Sequence, residues 1–304
     1  MAGLGAGGNS RVGMRRNLAR EESIALIRFG FDQGINFIDT ARSYGTEELV
    51  GDAVAEVARD SVVVSTKSGM RDGGKLIGAD ILRRNLEESL RRLRTDYVDV
   101  FHLHAVRPGD YAHARSVLVP ELLRMREAGL IRALGITESS PVDHDHDALQ
   151  LAVADDCWDV IMVAFNMMHQ SARSTIFPTT RAKDIGTLMM FVVRNVFSKP
   201  ALLAETVRKL ADEGKLPRDM GGSDEPLAFL IGEGRARSVI DAAYRYVRHE
   251  PGVDVVLFGT GSREHMVSNI ASINAPPLPD ADLARIRALF GELVGVGLDS
   301  PDRS

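Results

Sequence analysis

Short apolar runs alternate along this chain with longer stretches in which apolar residues recur every three or four positions. The short runs are rich in valine and isoleucine, and several are apolar throughout, which is typical of parallel strands buried on both faces. The pattern predicts eight strands, at Ala2–Gly7, Asn36–Asp39, Val62–Thr66, Val98–His104, Ile131–Gly135, Val160–Phe165, Thr187–Val192 and Val253–Phe258.

The stretches between these strands have helical spacing. The clearest apolar stripe, with arginine and glutamate on its wet face, consists of Leu82, Leu86, Leu90 and Leu93. Two further stripes consist of Ile24, Ile27 and Phe31, and of Val50, Val54 and Val57. Thr46 stands where it could cap the helix of the valine stripe. Gly34 and Gly129 stand where two helices are expected to stop before the next strand.

Two stretches depart from the alternation. Asp212–Gly234 is rich in glycine, proline and charge, so we expect a long loop or partial helix there. Arg235–Glu250 predicts an extra helix before the last strand, and Asp280–Phe290 predicts one more helix after the last strand–helix unit.

Eight strands alternating with helices predict a single-domain (β/α)₈ TIM barrel over residues 1–304. The alternative is an open, doubly wound sheet, whose dinucleotide site would place G-x-G-x-x-G directly between strand one and a helix. Gly3–Gly8 matches that pattern, but polar and glycine residues follow it instead of a helix. The sequence therefore favours the barrel.

Composition and charge restrict the possible functions. The chain has 304 residues, of which 44% are hydrophobic and 26% charged, and this excludes wholesale disorder. A net charge of −5 argues against nucleic acid or an anionic membrane as a partner. The single cysteine, Cys157, excludes an internal disulfide and a multi-cysteine metal site. We expect a cytoplasmic protein without a signal peptide or membrane span.

Four chemically distinct side chains fall at the predicted carboxyl ends of strands, where barrel enzymes carry their active sites. These residues are Asp39, Lys67, His104 and, in the loop after Asp39, Tyr44. Each of them alone has an ordinary structural explanation, such as a bonded turn or a solvated strand end. Their shared location on one rim makes a common function the better interpretation.

Together these four residues suit proton transfer to a carbonyl. A phenol with a pKa near ~10 is a poor acid at neutral pH, and a neighbouring ammonium is expected to lower that pKa. A carboxylate would hold the lysine charged, and a histidine could polarise the carbonyl. Since no side chain supplies hydride, a redox reaction would require a cofactor.

Five segments in order resemble signatures of the aldo-keto reductases: Gly34–Gly51, Val62–Gly69, Leu82–His104, Ile131–Thr137 and Phe258–Ile270. The resemblance covers roughly residues 2–273. It implies a (β/α)₈ barrel that reduces aldehydes or ketones with NAD(P)H. It also implies Tyr44 as general acid, Lys67 and Asp39 as its tuning pair, and His104 as the residue that orients the carbonyl.

The resemblance also implies a cofactor site. Gly259–Gly261, which precedes a predicted helix, suits a phosphate, because the free N–H groups and the dipole at the start of a helix favour an anion. Arg263 could pair with a 2′-phosphate, which favours NADPH, although NADH remains possible. The implied cofactor-binding residues are Gly5, Thr137, Gly259, Thr260, Gly261, Arg263, His265 and Asn269.

The chain departs from the family pattern where the nicotinamide would lie. Thr137–Glu138 replaces a usual serine–asparagine pair, and Met162 replaces a usual glutamine. Val192 or Val193 falls near the position of a usual stacking aromatic. We also expect the family's N-terminal hairpin to be missing or truncated. These departures leave the four proton-transfer residues intact and put cofactor contacts in question.

The prediction is therefore an NADP(H)-dependent oxidoreductase of a small-molecule carbonyl or alcohol, acting as a monomer or weak homo-oligomer. One alternative is a cofactor-binding regulatory barrel with little turnover, similar to potassium-channel β subunits. Another is an isomerase or lyase in which Lys67 forms a Schiff base. We expect no metal: His144 and His146 stand in an acidic stretch that mimics a metal cluster, but a solvated loop or first helical turn is the better interpretation.

Overall fold

Eight parallel strands close into a barrel in this computed structural model, which describes residues 1–8, 10–140 and 142–298. Each strand pairs with the next along the chain, and the last pairs with the first. The strands are β1 (Ala2–Gly5), β2 (Phe37–Asp39), β3 (Val63–Gly69), β4 (Val98–Val106), β5 (Ile131–Glu138), β6 (Val160–Ala164), β7 (Gly186–Met190) and β8 (Val255–Phe258). The predicted (β/α)₈ TIM barrel is confirmed.

Helices cover the outside of the barrel. The longer ones are α1 (Arg20–Asp32), α2 (Glu47–Val54), α3 (Ala79–Leu93), α4 (Val119–Glu127), α5 (Asp147–Ala154), α6 (Phe177–Lys183), α7 (Pro200–Asp212), α8 (Val239–Arg248), α9 (Arg263–Ile273) and α10 (Asp280–Phe290). Short helical turns lie at Arg11–Arg16, Arg42–Tyr44, Arg59–Ser61, Pro108–Asp110, Tyr111–His113, Ala114–Leu118, Ala172–Thr175, Asn195–Ser198, Arg218–Gly222 and Ala228–Leu230. A small antiparallel hairpin pairs Arg71–Asp72 with Lys75–Leu76.

Apolar periodicity predicted most of these helices. The stripe of α3 is buried at Leu82, Leu86 and Leu93. The extra helix before the last strand is α8, and the long segment after α7 holds only short turns, as expected. Gly34 and Gly129 have φ of 85° and 75°, a backbone conformation that glycine adopts without strain.

The expectation for the valine helix is partly wrong. α2 ends at Val54, so Val57 lies beyond it. Thr46 precedes α2 but does not cap it with its side chain. Its hydroxyl lies 2.8 Å from that of Thr40, so it ties α2 to the end of β2 instead.

The barrel interior divides into an apolar lower layer and a polar upper layer. Phe37, Met162, Leu188 and Val255 form a buried cluster inside the barrel, separate from the larger core between strands and helices. Since side chains alternate between the two faces of a strand, Asp39 points inward two residues after Phe37. The polar layer therefore lies at the carboxyl ends of the strands, with a packed floor beneath it.

Within the described part of the chain, no helix combines the length and apolar character that crossing a bilayer would need.

Candidate active site

The structure brings the four predicted residues together at the carboxyl ends of neighbouring strands. Asp39 is the last residue of β2, and Tyr44 closes the turn that follows it. Lys67 lies within β3 and His104 within β4, which are paired neighbours. The first of the four, Asp39, is 4% exposed and Lys67 is fully buried. Tyr44 and His104 are partly exposed above them.

Lys67 and Asp39 form a buried ion pair. The Lys67 ammonium lies 2.5 Å from Asp39 Oδ2 and donates a second hydrogen bond to the Thr40 carbonyl oxygen, at 2.8 Å. The Ser65 hydroxyl donates to the other oxygen of Asp39 at 2.8 Å. Burial lowers the pKa of Lys67, but the Asp39 carboxylate and Tyr44 together outweigh burial and leave that pKa raised. The lysine therefore remains an ammonium at neutral pH.

Tyr44 lies between this ion pair and the barrel mouth. Its hydroxyl is 3.5 Å from His104 Nε2, and the Lys67 ammonium is 4.9 Å from the centre of its ring. Burial raises the pKa of the Tyr44 phenol, and Lys67 opposes this by lowering it. Lys67 thus acts on this pKa in the expected sense, but its effect does not outweigh the desolvation of the phenolate, and the net direction is upward.

Both histidines of β4 are neutral. Burial and the Lys67 charge lower the pKa of His104 to about 3. The same two effects, together with His104, lower the pKa of His102 well below its usual value. His102 is fully buried in the barrel, and neither ring nitrogen has a hydrogen-bond partner among the described residues. A neutral His104 can form a hydrogen bond with the Tyr44 hydroxyl and adds no second positive charge next to Lys67.

A glycine fixes the seat of Tyr44, and sequence reasoning missed its role. A methyl group on Gly7 would lie 2.4 Å from Cε2 of the Tyr44 ring. Only a residue without a side chain lets the ring pack at that distance. The signal was present in the glycine-rich segment after the first predicted strand, but nothing in the sequence showed what faces Gly7.

The predicted phosphate segment meets the end of β1. Gly5 pairs with Asp39 across the sheet, and a methyl group on Gly259 would lie 3.2 Å from the Gly5 carbonyl oxygen. The same methyl would lie 3.3 Å from the Ser10 hydroxyl, which is buried and has no hydrogen-bond partner among the described residues. Glycines and an unsatisfied hydroxyl therefore line the mouth between β1 and β8.

The remaining predicted cofactor residues surround the start of α9. Ser262 caps this helix by accepting from the His265 backbone N–H, and Thr260 Oγ1 accepts from the Ser262 backbone N–H at 3.1 Å. A methyl group on Gly261 would lie 2.9 Å from the Cα of Gly13. Arg263 lies on α9 with its guanidinium 5.1 Å from the centre of the Phe29 ring.

Arg263 and His265 are exposed, and Asn269 is partly exposed one turn further along α9. The side chain of Arg263 thus rests on α1, and its pairing with a 2′-phosphate stays a prediction.

Thr137 and Glu138, which replace the family's usual serine–asparagine pair, point to opposite faces of β5. Thr137 is inside the barrel and accepts a hydrogen bond from the Ala105 backbone N–H at 2.8 Å, which leaves its hydroxyl proton available. Glu138 points outward: one oxygen accepts from the Ala164 N–H, and the other lies 2.6 Å from His146 Nδ1. Because strand β5 extends to Glu138, the alternation of side chains sends this carboxylate away from the mouth. Glu138 thus departs from the family pattern in its orientation as well as in its residue type.

Two other expected pocket residues are also buried in packing. Met162 is 4% exposed within the lower interior layer. Val192 is 1% exposed in the outer core, while Val193 is only partly buried against it.

The acidic stretch around His146 opens helix α5, which is one of the two expectations for it, but it is not solvated throughout. His146 is fully buried, with its Nε2 2.9 Å from the Ser171 hydroxyl and its Nδ1 bonded to Glu138. Asp143 is buried and accepts from the first two backbone N–H groups of α5. His144 remains exposed. These contacts tie the loop after β5 to the loop after β6.

Comparison with known proteins agrees with this geometry. The model of the aldo/keto reductase family matches residues 3–290. L-galactose dehydrogenase of Arabidopsis thaliana is 32% identical over 262 residues, which cover 84% of this chain and 79% of that protein. Aldo-keto reductase YhdN of Bacillus subtilis is 28% identical over 253 residues, which cover 78% of this chain and 74% of that protein.

The fold has solved counterparts. An aldo/keto reductase from Klebsiella pneumoniae, in complex with NADP and acetate, matches with a TM-score of 0.65 at 22% identity. The match covers 100% of this chain and 93% of that one, and at this identity it shows the fold. The family match over almost the whole chain shows more than the fold: this protein belongs to the aldo/keto reductase family.

Proposed function

We propose that this protein is an NADP(H)-dependent oxidoreductase that interconverts a small aldehyde or ketone and its alcohol. One observation carries the proposal: a buried Lys67–Asp39 ion pair lies directly beneath the partly exposed Tyr44 and His104 at the barrel mouth. A structural ion pair would not require a phenol and a neutral imidazole above it, open to solvent. Family membership and the dehydrogenase and reductase names of its relatives support the same reaction class.

In this proposal Tyr44 is the general acid. Its hydroxyl would donate a proton to the carbonyl oxygen during reduction, and its phenolate would accept one from the alcohol in reverse. The Lys67 ammonium stabilises that phenolate, while Asp39 and Thr40 hold the ammonium in place. His104, neutral because its pKa is about 3, would donate a hydrogen bond to the same carbonyl oxygen.

The residues at the mouth fit a dinucleotide. The Ser10 hydroxyl, which has no hydrogen-bond partner among the described residues, and the backbone at Gly259, which carries no side chain, suit a polar ligand group that lies close to the backbone. When bound, the cofactor supplies or accepts the hydride. The residues that would hold it are Gly5, Thr137, Gly259, Thr260, Gly261, Arg263, His265 and Asn269. NADP in a structural neighbour supports NADPH as the first choice, with NADH as the alternative.

The test removes the proton from Tyr44 and nothing else. Tyr44→Phe keeps the ring, so we expect NADPH binding within about threefold of wild type, measured by fluorescence titration. We expect reduction of 4-nitrobenzaldehyde to fall by at least ~10²-fold, the scale of general acid catalysis. Tyr97→Phe is the matched control, because Tyr97 lies before β4 at the opposite end of the barrel, between Arg59 and Arg132.

Three results would contradict the proposal. Turnover retained in Tyr44→Phe would remove this residue from its role. A wild-type protein that binds NADPH but reduces no general aldehyde or ketone would favour the regulatory barrel instead. Borohydride trapping of a carbonyl compound on Lys67, in protein active without any nicotinamide, would favour the Schiff-base reaction.

A further inference from the structure

A basic turn crosses the barrel mouth directly after β1. Its first residue, Arg11, donates a backbone hydrogen bond to the Gly7 carbonyl oxygen at 3.3 Å. Gly7 in turn lies against the Tyr44 ring, because a methyl group added to Gly7 would lie 2.4 Å from a carbon atom of that ring. At the other end of the turn, Gly13 packs against Gly261. The turn thus runs from the proposed proton donor to the proposed phosphate segment.

The backbone of this turn is held in an unusual shape. Arg11 and Val12 have φ of 43° and 48°, in the left-handed region that side chains other than glycine rarely adopt. Such conformations persist only where the surroundings impose them. Val12 is fully buried in the core and supplies that anchor. The fold therefore holds the backbone of Arg11 in place through its neighbour Val12.

Arg11 is a partly buried cation without an anion. Its guanidinium has no hydrogen-bond or ion-pair partner within the described ranges. Other partly buried arginines are paired, such as Arg59 with Asp99 and Arg173 with Glu250. Arg11 also contributes to lowering the pKa of the Tyr44 phenol, less than Lys67 does and against the larger effect of burial. An unpaired guanidinium beside a reacting group suits an anionic part of the bound molecule.

We propose that Arg11 binds a carboxylate of the substrate, so that the preferred substrates are carbonyl compounds or alcohols that carry a carboxylate near the reacting carbon. This inference rests on the proposed function. The substrate is favoured over the cofactor as the source of the anion because Arg11 is bonded through its backbone to Gly7, which packs against the Tyr44 ring. The phosphate segment meets the same turn at other residues: a methyl group on Gly259 would meet the Ser10 hydroxyl, and one on Gly261 would meet Gly13 and Arg16.

The experiment compares two aldehydes with the same reacting group. 4-Carboxybenzaldehyde and 4-nitrobenzaldehyde share a para-substituted benzaldehyde ring, but only the first is an anion at neutral pH. Because nitro activates the aldehyde more strongly than carboxylate does, the measured quantity is the carboxylate preference, defined as kcat/KM for the carboxylated aldehyde divided by kcat/KM for the nitro aldehyde, compared between wild type and each variant. Arg11→Asn should reduce that preference by about 10- to 100-fold, the range of a charge-assisted hydrogen bond. Asparagine is chosen because it tolerates a positive φ.

Two further variants complete the set. Arg11→Lys keeps the charge and should retain part of the preference, since a lysine can pair with a carboxylate but not bidentately. Arg28→Ala is the control: it removes an exposed arginine that pairs with Glu56 away from the mouth, and it should leave the preference unchanged. Circular dichroism and thermal unfolding show whether each variant is folded.

The outcomes separate this inference from the proposed function. If Arg11→Asn weakens the binding of NADPH at least tenfold and lowers kcat/KM for both aldehydes by the same factor, Arg11 binds a cofactor phosphate and the inference is overturned. If the carboxylate preference is the same in wild type and Arg11→Asn, the inference fails while the proposed function stands. If neither aldehyde is reduced, the proposed function fails, and calorimetric binding of 4-carboxybenzaldehyde still decides the inference. Binding lost in Arg11→Asn supports it, and equal binding overturns it.

Discussion

Replacing Gly7 by alanine would show whether activity depends on the seat of the Tyr44 ring. The added methyl would lie 2.4, 2.7 and 2.8 Å from three carbon atoms of that ring. Carbon atoms in ordinary contact are about 3.5 Å apart, so the ring would have to move by about 1 Å. The ring is partly exposed, so it can move outward without unfolding the protein. The variant should therefore fold but present its hydroxyl in the wrong place.

The expected loss follows from that displacement. A shift of about 1 Å in a reacting group can cost about 10²-fold in rate. We expect kcat for 4-nitrobenzaldehyde to fall by about that factor, with the Kd for NADPH within about threefold of wild type. Gly109→Ala is the matched control, because Gly109 follows the His104 strand and a methyl there meets no atom within 4 Å.

A double mutant tests the mechanism of the loss. If Gly7→Ala acts through Tyr44, it should have little further effect in a Tyr44→Phe background, because the displaced hydroxyl is already absent. The reasoning is refuted if Gly7→Ala keeps kcat within threefold of wild type. It is also refuted if the full loss recurs in the Tyr44→Phe background.

Two further predictions concern charge. Lys67→Met should raise the pKa of the Tyr44 phenol further, because it removes the adjacent ammonium. The rate of alcohol oxidation, measured as a function of pH, should then begin to rise at a higher pH than in wild type. An unchanged pH profile would show that Lys67 does not act on Tyr44. His102, His104 and the buried His169, which follows β6, have pKa values in the folded protein far below their usual 6.5, about 3 for the last two. As the pH falls, these histidines are therefore protonated in the unfolded chain before they are protonated in the folded protein. Stability should therefore fall as the pH drops below about 6.5, by up to about 1.4 kcal/mol per pH unit for each histidine. Urea unfolding at pH 7.5 and 5.5 measures this, and His169→Asn should reduce the slope by about a third if the reasoning holds.

The barrel and its four central residues could be predicted because both depend on local pattern. Strand-length apolar runs separated by amphipathic stretches leave few architectures that bury every run. In a parallel barrel all strand ends face the same rim, so Asp39, Lys67 and His104 could be assigned to one site without knowing any distance. The net pKa of Tyr44 could not be predicted, because it depends on how far burial outweighs Lys67.

Errors in the prediction arose at strand ends. We expected the fifth strand to stop at Gly135, but it continues to Glu138. Three extra residues of alternation then place Thr137 inside the barrel and Glu138 outside, against His146. A strand boundary depends on hydrogen bonds to neighbouring strands, which the sequence of one strand does not contain. The burial of His146 was missed for the same reason, since its partners come from other segments.

The sequence by itself determined the order of strands and helices, the barrel and the rim on which the reactive side chains would lie. It did so because hydrophobic periodicity and the direction of parallel strands are properties of local segments. Only the tertiary structure decided that Gly7 seats Tyr44 and that Arg11, bonded to Gly7 through its backbone, has no ion-pair partner within the described part of the chain. Those facts are contacts between segments brought together by closure of the barrel, and such contacts depend on distances and packing that no stretch of the chain encodes alone.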